Sequence, residues 1–146
     1  MSVIDQLLDF ALKAMNGNDR ELRFLEQMCT KKPRLTKFGI ERWFQIELMT
    51  EADSLGIEPL VRSRKEPKKP DLKVDNMRVE LKAEMDYNLK YVRDGFQTNP
   101  DAVLFLARTN EKFQKDLEGL KTEGCKVELR SIGSSPAWIV GYLARM

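Results

Sequence analysis

Apolar residues recur at helical spacing from Val3 to Met15, where Ile4, Leu7, Leu8, Ala11 and Met15 share one face. Asn16-Gly17-Asn18 breaks that pattern, and Asp19 is placed to cap a second helix reaching about Cys29. Residues 31–37 are basic, contain Pro33 and predict a loop. Thr36 then caps a long helix to about Leu55, and Gly56 stops it.

Past Gly56 the period changes from helical to alternating. Ile57 to Arg64 predicts a strand near a sheet edge, because Pro59 lies inside it. Residues 65–69, basic and containing Pro67, predict a turn. Leu72–Val74 and Met77–Ala83 predict a hairpin turning at Asp75-Asn76. Asp86 to Phe96 predicts a helix whose end Gly95 weakens and Asn99-Pro100 closes. Ala102 to Ala107 is a continuous apolar run, as in a buried strand. Asn110 caps a helix to Thr122, and Lys126–Ile132 and Trp138–Leu143 predict two more strands. The expected fold is α/β (α+β): a mixed sheet flanked by helices, in one domain. Residues 36–146 are its core, and residues 1–30 a two-helix N-terminal extension.

The chain of 146 residues is 42% hydrophobic and 33% charged, a globular rather than disordered balance. No apolar run approaches the roughly 20 residues of a spanning helix. The first ten residues carry Asp5 and Asp9 and no basic cluster, unlike a signal peptide. These features predict a cytoplasmic protein with no membrane partner. Cys29 and Cys125 form no C-x-x-C pair, so reduced thiols are expected and a zinc site is not. The count of histidines is zero. That excludes Ser-His and Cys-His triads, His-ligated metals and a His general base. Hydrolytic chemistry here rests on carboxylates, Lys, Tyr or a hard cation.

The strand Arg78-Val79-Glu80-Leu81-Lys82-Ala83 concentrates such groups. With a period of two, Val79, Leu81 and Ala83 face one way, and Glu80 and Lys82 the other. If Asp75-Asn76 is a two-residue turn, Val74 faces Met77 and Asp71 stands opposite Glu80. Opposed side chains have Cβ atoms about 4.5–5.5 Å apart, where two carboxylates repel unless a positive charge intervenes. Lys82 supplies one, and a divalent cation with oxygen ligands, Mg²⁺ or Mn²⁺, would supply more. The plain alternative is that Glu80 and Lys82 are a strand's solvated face.

Pro70-Asp71 followed by Glu80-Leu81-Lys82 resembles the signature of the PD-(D/E)XK (restriction-endonuclease-like) nuclease superfamily. The order of elements over residues 36 to about 107 is similar too: an acid-bearing helix, the motif hairpin, a helix and a buried strand. Gly39 and Glu41-Arg42, opening a helix ahead of Pro70-Asp71, look like archaeal-type Holliday junction resolvases. The resemblance implies a restriction-endonuclease-like fold and metal-dependent hydrolysis of phosphodiester bonds in DNA, in repair, recombination or restriction. It implies Asp71, Glu80 and the Leu81 carbonyl as metal ligands, and Lys82 as the group orienting or deprotonating the attacking water. Glu41 would be the helix-borne acid, with Glu47 as its rival on another face of the helix. Glu84 and Asp86 follow the motif and read as solvated charges or as outer supports of the site.

Arg62, Arg64, Lys65, Lys68, Lys69 and Lys73 surround Asp71, and Lys31, Lys32, Arg34 and Lys37 precede Glu41. Such groups suit a phosphate backbone, of DNA or of RNA, and also suit ordinary solvated loops. Lys90, Tyr91 and Arg93 could reach a bound strand as well. Trp43 and Trp138 are expected in the core. Cutting two strands is compatible with a homodimer. The competing reading is an inactive nucleic-acid- or protein-binding module on the same fold.

Overall fold

Ser2 starts the first helix, its hydroxyl accepting a hydrogen bond from the Asp5 amide at 3.3 Å. The structure, a computed structural model, describes residues 2–31, 39–60, 69–84, 89–133 and 135–145. Helix α1 (Val3–Asn16) buries Ile4, Leu7, Leu8, Ala11, Ala14 and Met15, the face its spacing predicts. Helix α2 (Asp19–Lys31) follows after a two-residue turn. Helix α3 (Ile40–Glu51) begins at Gly39, whose φ of 85° is left-handed and which offers no side-chain cap. The expected cap, Thr36, lies outside the described residues. A 3-10 turn, Asp53–Leu55, ends that segment, and Gly56 closes it at φ 63°.

Among the described residues six strands form one sheet: β1 (Glu58–Pro59), β2 (Leu72–Val74), β3 (Met77–Glu84), β4 (Ala102–Arg108), β5 (Cys125–Ser131) and β6 (Trp138–Arg145). Their spatial order is β1-β2-β3-β4-β6-β5. Only β3 and β4 run parallel; every other neighbouring pair is antiparallel. Pro59 lies on the outermost strand, where its missing amide hydrogen takes nothing from a ladder. The β2–β3 hairpin has the expected register, with Val74 opposite Met77 and Asp75 at φ 52° in the turn.

Helices cover both faces. Val79, Leu81 and Ala83 of β3 join Leu104, Leu106, Trp138, Val140 and Tyr142 in a core roofed by α1, by Leu22 of α2 and by Ile40, Phe44 and Leu48 of α3. On the other face Val103, Phe105, Ile139 and Leu143 pack under Val92 of helix α4 (Leu89–Arg93) and under Phe113 and Leu117 of helix α5 (Glu111–Gly119). The architecture is thus α+β, a mixed open sheet between two helical layers. Asn110 caps α5 as expected, accepting from the Phe113 amide at 2.8 Å.

The N-terminal helices are tied into this core. Tyr142, buried on β6, donates its hydroxyl to Asp5 Oδ1 at 2.7 Å. Burial and the Asp5 carboxylate hold Tyr142 above the usual tyrosine range. The Ser2 and Tyr142 hydroxyls hold Asp5 below its own. Ser135 likewise donates to Asp19 Oδ1 at 2.6 Å. Among the described residues no helix is long and apolar enough to cross a membrane.

Of the strand predicted over Ile57 to Arg64, Glu58–Pro59 is strand among the described residues, with residues 61–68 outside them, and the helix after β3 departs from expectation as well. Among the described residues, the helix predicted over Asp86 to Phe96 is α-helical over Leu89–Arg93 and then tightens into a 3-10 turn, Asp94–Thr98, with residues 85–88 outside them. Gly95 explains the change. A Cβ there would lie 2.9 Å from both Cγ atoms of Val103 and 3.4 Å from Glu80 Cγ. The turn therefore sits directly on β3 and β4, closer than a helix with side chains could approach.

Candidate active site

The hairpin register carries Asp71 next to Glu80. Ladder pairing ends at Leu72 opposite Val79, and one further step sets Asp71 across from Glu80. The Asp71 main chain is held by β1, its carbonyl accepting from the Leu60 amide at 2.9 Å. Its side chain turns to β3, where Oδ2 accepts from the Leu81 amide at 2.8 Å. Beyond Leu72 the chain of β2 no longer covers β3, so this carboxylate takes over a ladder position. Amide and carbonyl of one strand residue leave on the same edge, so the Leu81 carbonyl faces this side as well.

The next amide on that edge, Ala83, is met at 3.5 Å by Glu41 Oε1, arriving from the first turn of α3. Glu41 reaches β3 because Ile40, Phe44 and Leu48 bury the adjoining stripe of the helix against the sheet. Glu47 goes elsewhere and accepts from Asn18 Nδ2 at 3.2 Å, tying α3 to the α1–α2 turn. Of the two candidates for the helix-borne acid, Glu41 stands at the motif and Glu47 does not.

Glu80 is only 7% exposed. It lies on the α4 side of the sheet, in register with Val103, beneath the 3-10 turn. Burial raises its pKa first, and the Asp71 carboxylate, within hydrogen-bonding reach, raises it further. Together they push Glu80 up to about 8, against smaller opposing effects of Thr98 and Lys82. Thr98 Oγ1 donates to Glu80 Oε2 at 3.1 Å. Lys82, on the same face, is half-buried, with its ammonium 4.5 Å from the centre of the Tyr91 ring. The Tyr91 hydroxyl in turn donates to Glu41 Oε1.

Two carboxylates pressed together, one of them buried, need either a shared proton or a cation between them. Among the described residues no group of three or more His, Cys, Asp or Glu side chains gathers to hold a metal ion. The donors brought together are the two carboxylates and, on the same edge, the Leu81 carbonyl. That set fits Mg²⁺, which keeps several waters and takes one or two carboxylates from a protein.

Of the basic residues flanking the motif, Arg62, Arg64, Lys65 and Lys68 lie outside the described residues, as do Lys32, Arg34 and Lys37. Lys69 is exposed beside buried Pro70. Lys73 stands directly across from Arg78, on the face that carries Glu80 and Lys82. Asp86 is also outside the described residues. Trp138 is fully buried and Trp43 packs half-buried against the same core, as expected. Sequence reasoning missed Thr98 entirely and read Tyr91 only as a surface contact. Thr98 carries no local signal, because its relation to Glu80 exists only once the 3-10 turn folds down.

No family model, curated protein or solved structure matches the chain.

Proposed function

We propose that the protein is a Mg²⁺- or Mn²⁺-dependent phosphodiesterase that cuts DNA, with Asp71, Glu80 and Lys82 at its centre. The observation that carries this reading is the contact between the Asp71 and Glu80 carboxylates beside Lys82, at a strand edge free of β2. Asp71, Glu80 and the Leu81 carbonyl are the groups to hold the cation. When bound, the cation supplies positive charge to the phosphate and lowers the pKa of a coordinated water. Lys82 offers a second positive charge and hydrogen-bond donors to a phosphate oxygen or to the attacking water. Glu41 holds the Ala83 amide and so keeps the unpaired end of β3 in place. Nothing in this set needs histidine, of which the chain has none.

The resemblance to PD-(D/E)XK nucleases supports the same reading. Helix α3, strands β1 to β3, α4 and β4 occur in the order that the resemblance implies. The basic residues around Asp71, including Lys69 and Lys73, suit a phosphate backbone as partner.

A second reading, a binding module on this fold, has one observation in its favour. Asp71 Oδ2 and Glu41 Oε1 both accept backbone amides of β3, a structural task that needs no metal.

Cleavage of labelled duplex, junction and single-stranded DNA, and of RNA, in Mg²⁺ or Mn²⁺ separates the two. Metal-dependent cutting that disappears in Asp71→Ala and Lys82→Ala is the expected result. Salt-sensitive binding without cutting by the wild type would replace it with the binding module. Cutting that persists in both variants would remove the motif from the chemistry.

A further inference from the structure

Tyr91 touches both Glu41 and Lys82. Its hydroxyl donates to Glu41 Oε1, fifty residues earlier in the chain. Its ring lies under the Lys82 ammonium, 4.5 Å from the centroid and within the roughly 6 Å over which a ring attracts a cation. Glu41 comes from the helical layer on one face of the sheet, while Lys82 and Tyr91 belong to the other. Tyr91 therefore reaches around the edge of β3 beyond its pairing with β2.

Lys82 and Glu41 are opposite charges on long, half-exposed side chains near the same edge. A direct ion pair between them would neutralise both and occupy the ammonium donors. A ring holds an ammonium through its quadrupole and leaves available the N–H groups that point away from it. The phenol hydroxyl meanwhile satisfies one lone pair of Glu41 and holds that carboxylate at the Ala83 amide. Tyr91 thus meets the acid with its hydroxyl and the ammonium with its ring.

We propose that Tyr91 is a positioning residue that keeps Lys82 and Glu41 apart and aims the Lys82 ammonium at the Asp71–Glu80 pair. The catalytic consequence rests on the phosphodiesterase reading above. Placement is judged separately, by a signal that needs no activity.

The test compares the full chain with Tyr91→Phe and Tyr91→Leu, using two readouts. One is the NMR shift of the Lys82 ε-methylene protons, which the ring beneath them moves upfield. The other is kcat and KM for Mg²⁺-dependent DNA cleavage. Tyr91→Phe retains the ring and loses the hydroxyl, so the upfield shift persists. Tyr91→Leu loses it. With KM unchanged, kcat falls about tenfold in Tyr91→Phe and about a hundredfold in Tyr91→Leu, the scale on which misplaced catalytic groups lose rate. Wild-type kcat in both variants would overturn the proposal and leave the phosphodiesterase standing. If Tyr91→Leu does not fold, unchanged kcat in Tyr91→Phe overturns it alone. If the wild type cuts no substrate, the phosphodiesterase reading falls, and the Lys82 shift decides placement. An upfield position in wild type lost in Tyr91→Leu sustains it, and an ordinary position in wild type overturns it.

Discussion

The Asp71 carboxylate accepts the Leu81 amide at 2.8 Å, ten residues away, and the same side chain lies against Glu80. One residue thus completes the β2–β3 hairpin and supplies half of a carboxylate pair. The two roles respond differently to substitution, and that difference can be measured.

Asp71→Asn keeps a carbonyl oxygen for the Leu81 amide and gives Glu80 a hydrogen-bond donor in place of a repelling charge. Stability at neutral pH is expected to hold or rise while Mg²⁺ binding disappears. Asp71→Ala leaves the amide without its acceptor and is expected to lose about 1–3 kcal/mol at pH 5, where Glu80 keeps its proton. Urea unfolding with calorimetric Mg²⁺ titration checks both. Equal destabilisation by the two substitutions would show that the hydrogen bond is not what matters.

The pH dependence follows from Glu80. Its pKa rises from 4.5 to about 8 on folding, so between these values the folded chain binds more protons than the unfolded one. The contribution is fully present below about pH 4.5 and is lost as pH rises through about 8. In EDTA the unfolding midpoint is expected to fall from pH 5 to pH 8.5. Glu80→Gln flattens that slope, and Mg²⁺ restores stability at the alkaline end by taking the proton's place. A midpoint independent of pH across this window in the wild type would contradict the account.

Gly95 is needed for close approach rather than for flexibility. Gly95→Ala drives a methyl group to 2.9 Å from two carbons of Val103. It is expected to destabilise by about 1–3 kcal/mol, the range for overpacked interiors. It also lifts Thr98 from Glu80, so the alkaline loss of stability should change as well. A variant as stable as the wild type would mean that the turn has room to move.

Glu41 and Glu47 share a helix but not a task. Glu41→Ala removes the acceptor of the Tyr91 hydroxyl and the Ala83 amide and is expected to lower DNA cleavage about tenfold or more, as positioned groups do when shifted. Glu47→Gln alters only the tie to Asn18 and is expected to leave the cleavage rate as it was. Rates for the two variants in Mg²⁺ give the comparison; the reverse order would exchange their roles.

The sequence by itself determined what depends on neighbours along the chain. Period and capping located α1, α2, the hairpin, β4 and α5. Two-residue alternation put Glu80 and Lys82 on one face, and turn length set Asp71 beside Glu80, because a hairpin register is local geometry. Boundaries shifted where packing overrode propensity, as at α4, which tightens so that Gly95 can press on Val103. Only the tertiary structure brings Glu41 rather than Glu47 to β3, since both lie on one helix and the outcome depends on how that helix crosses the strand. It alone brought Thr98 to Glu80 and Tyr91 to both Glu41 and Lys82. Those contacts join segments 18 and 50 residues apart, and no local pattern encodes a distance that exists only after the layers close.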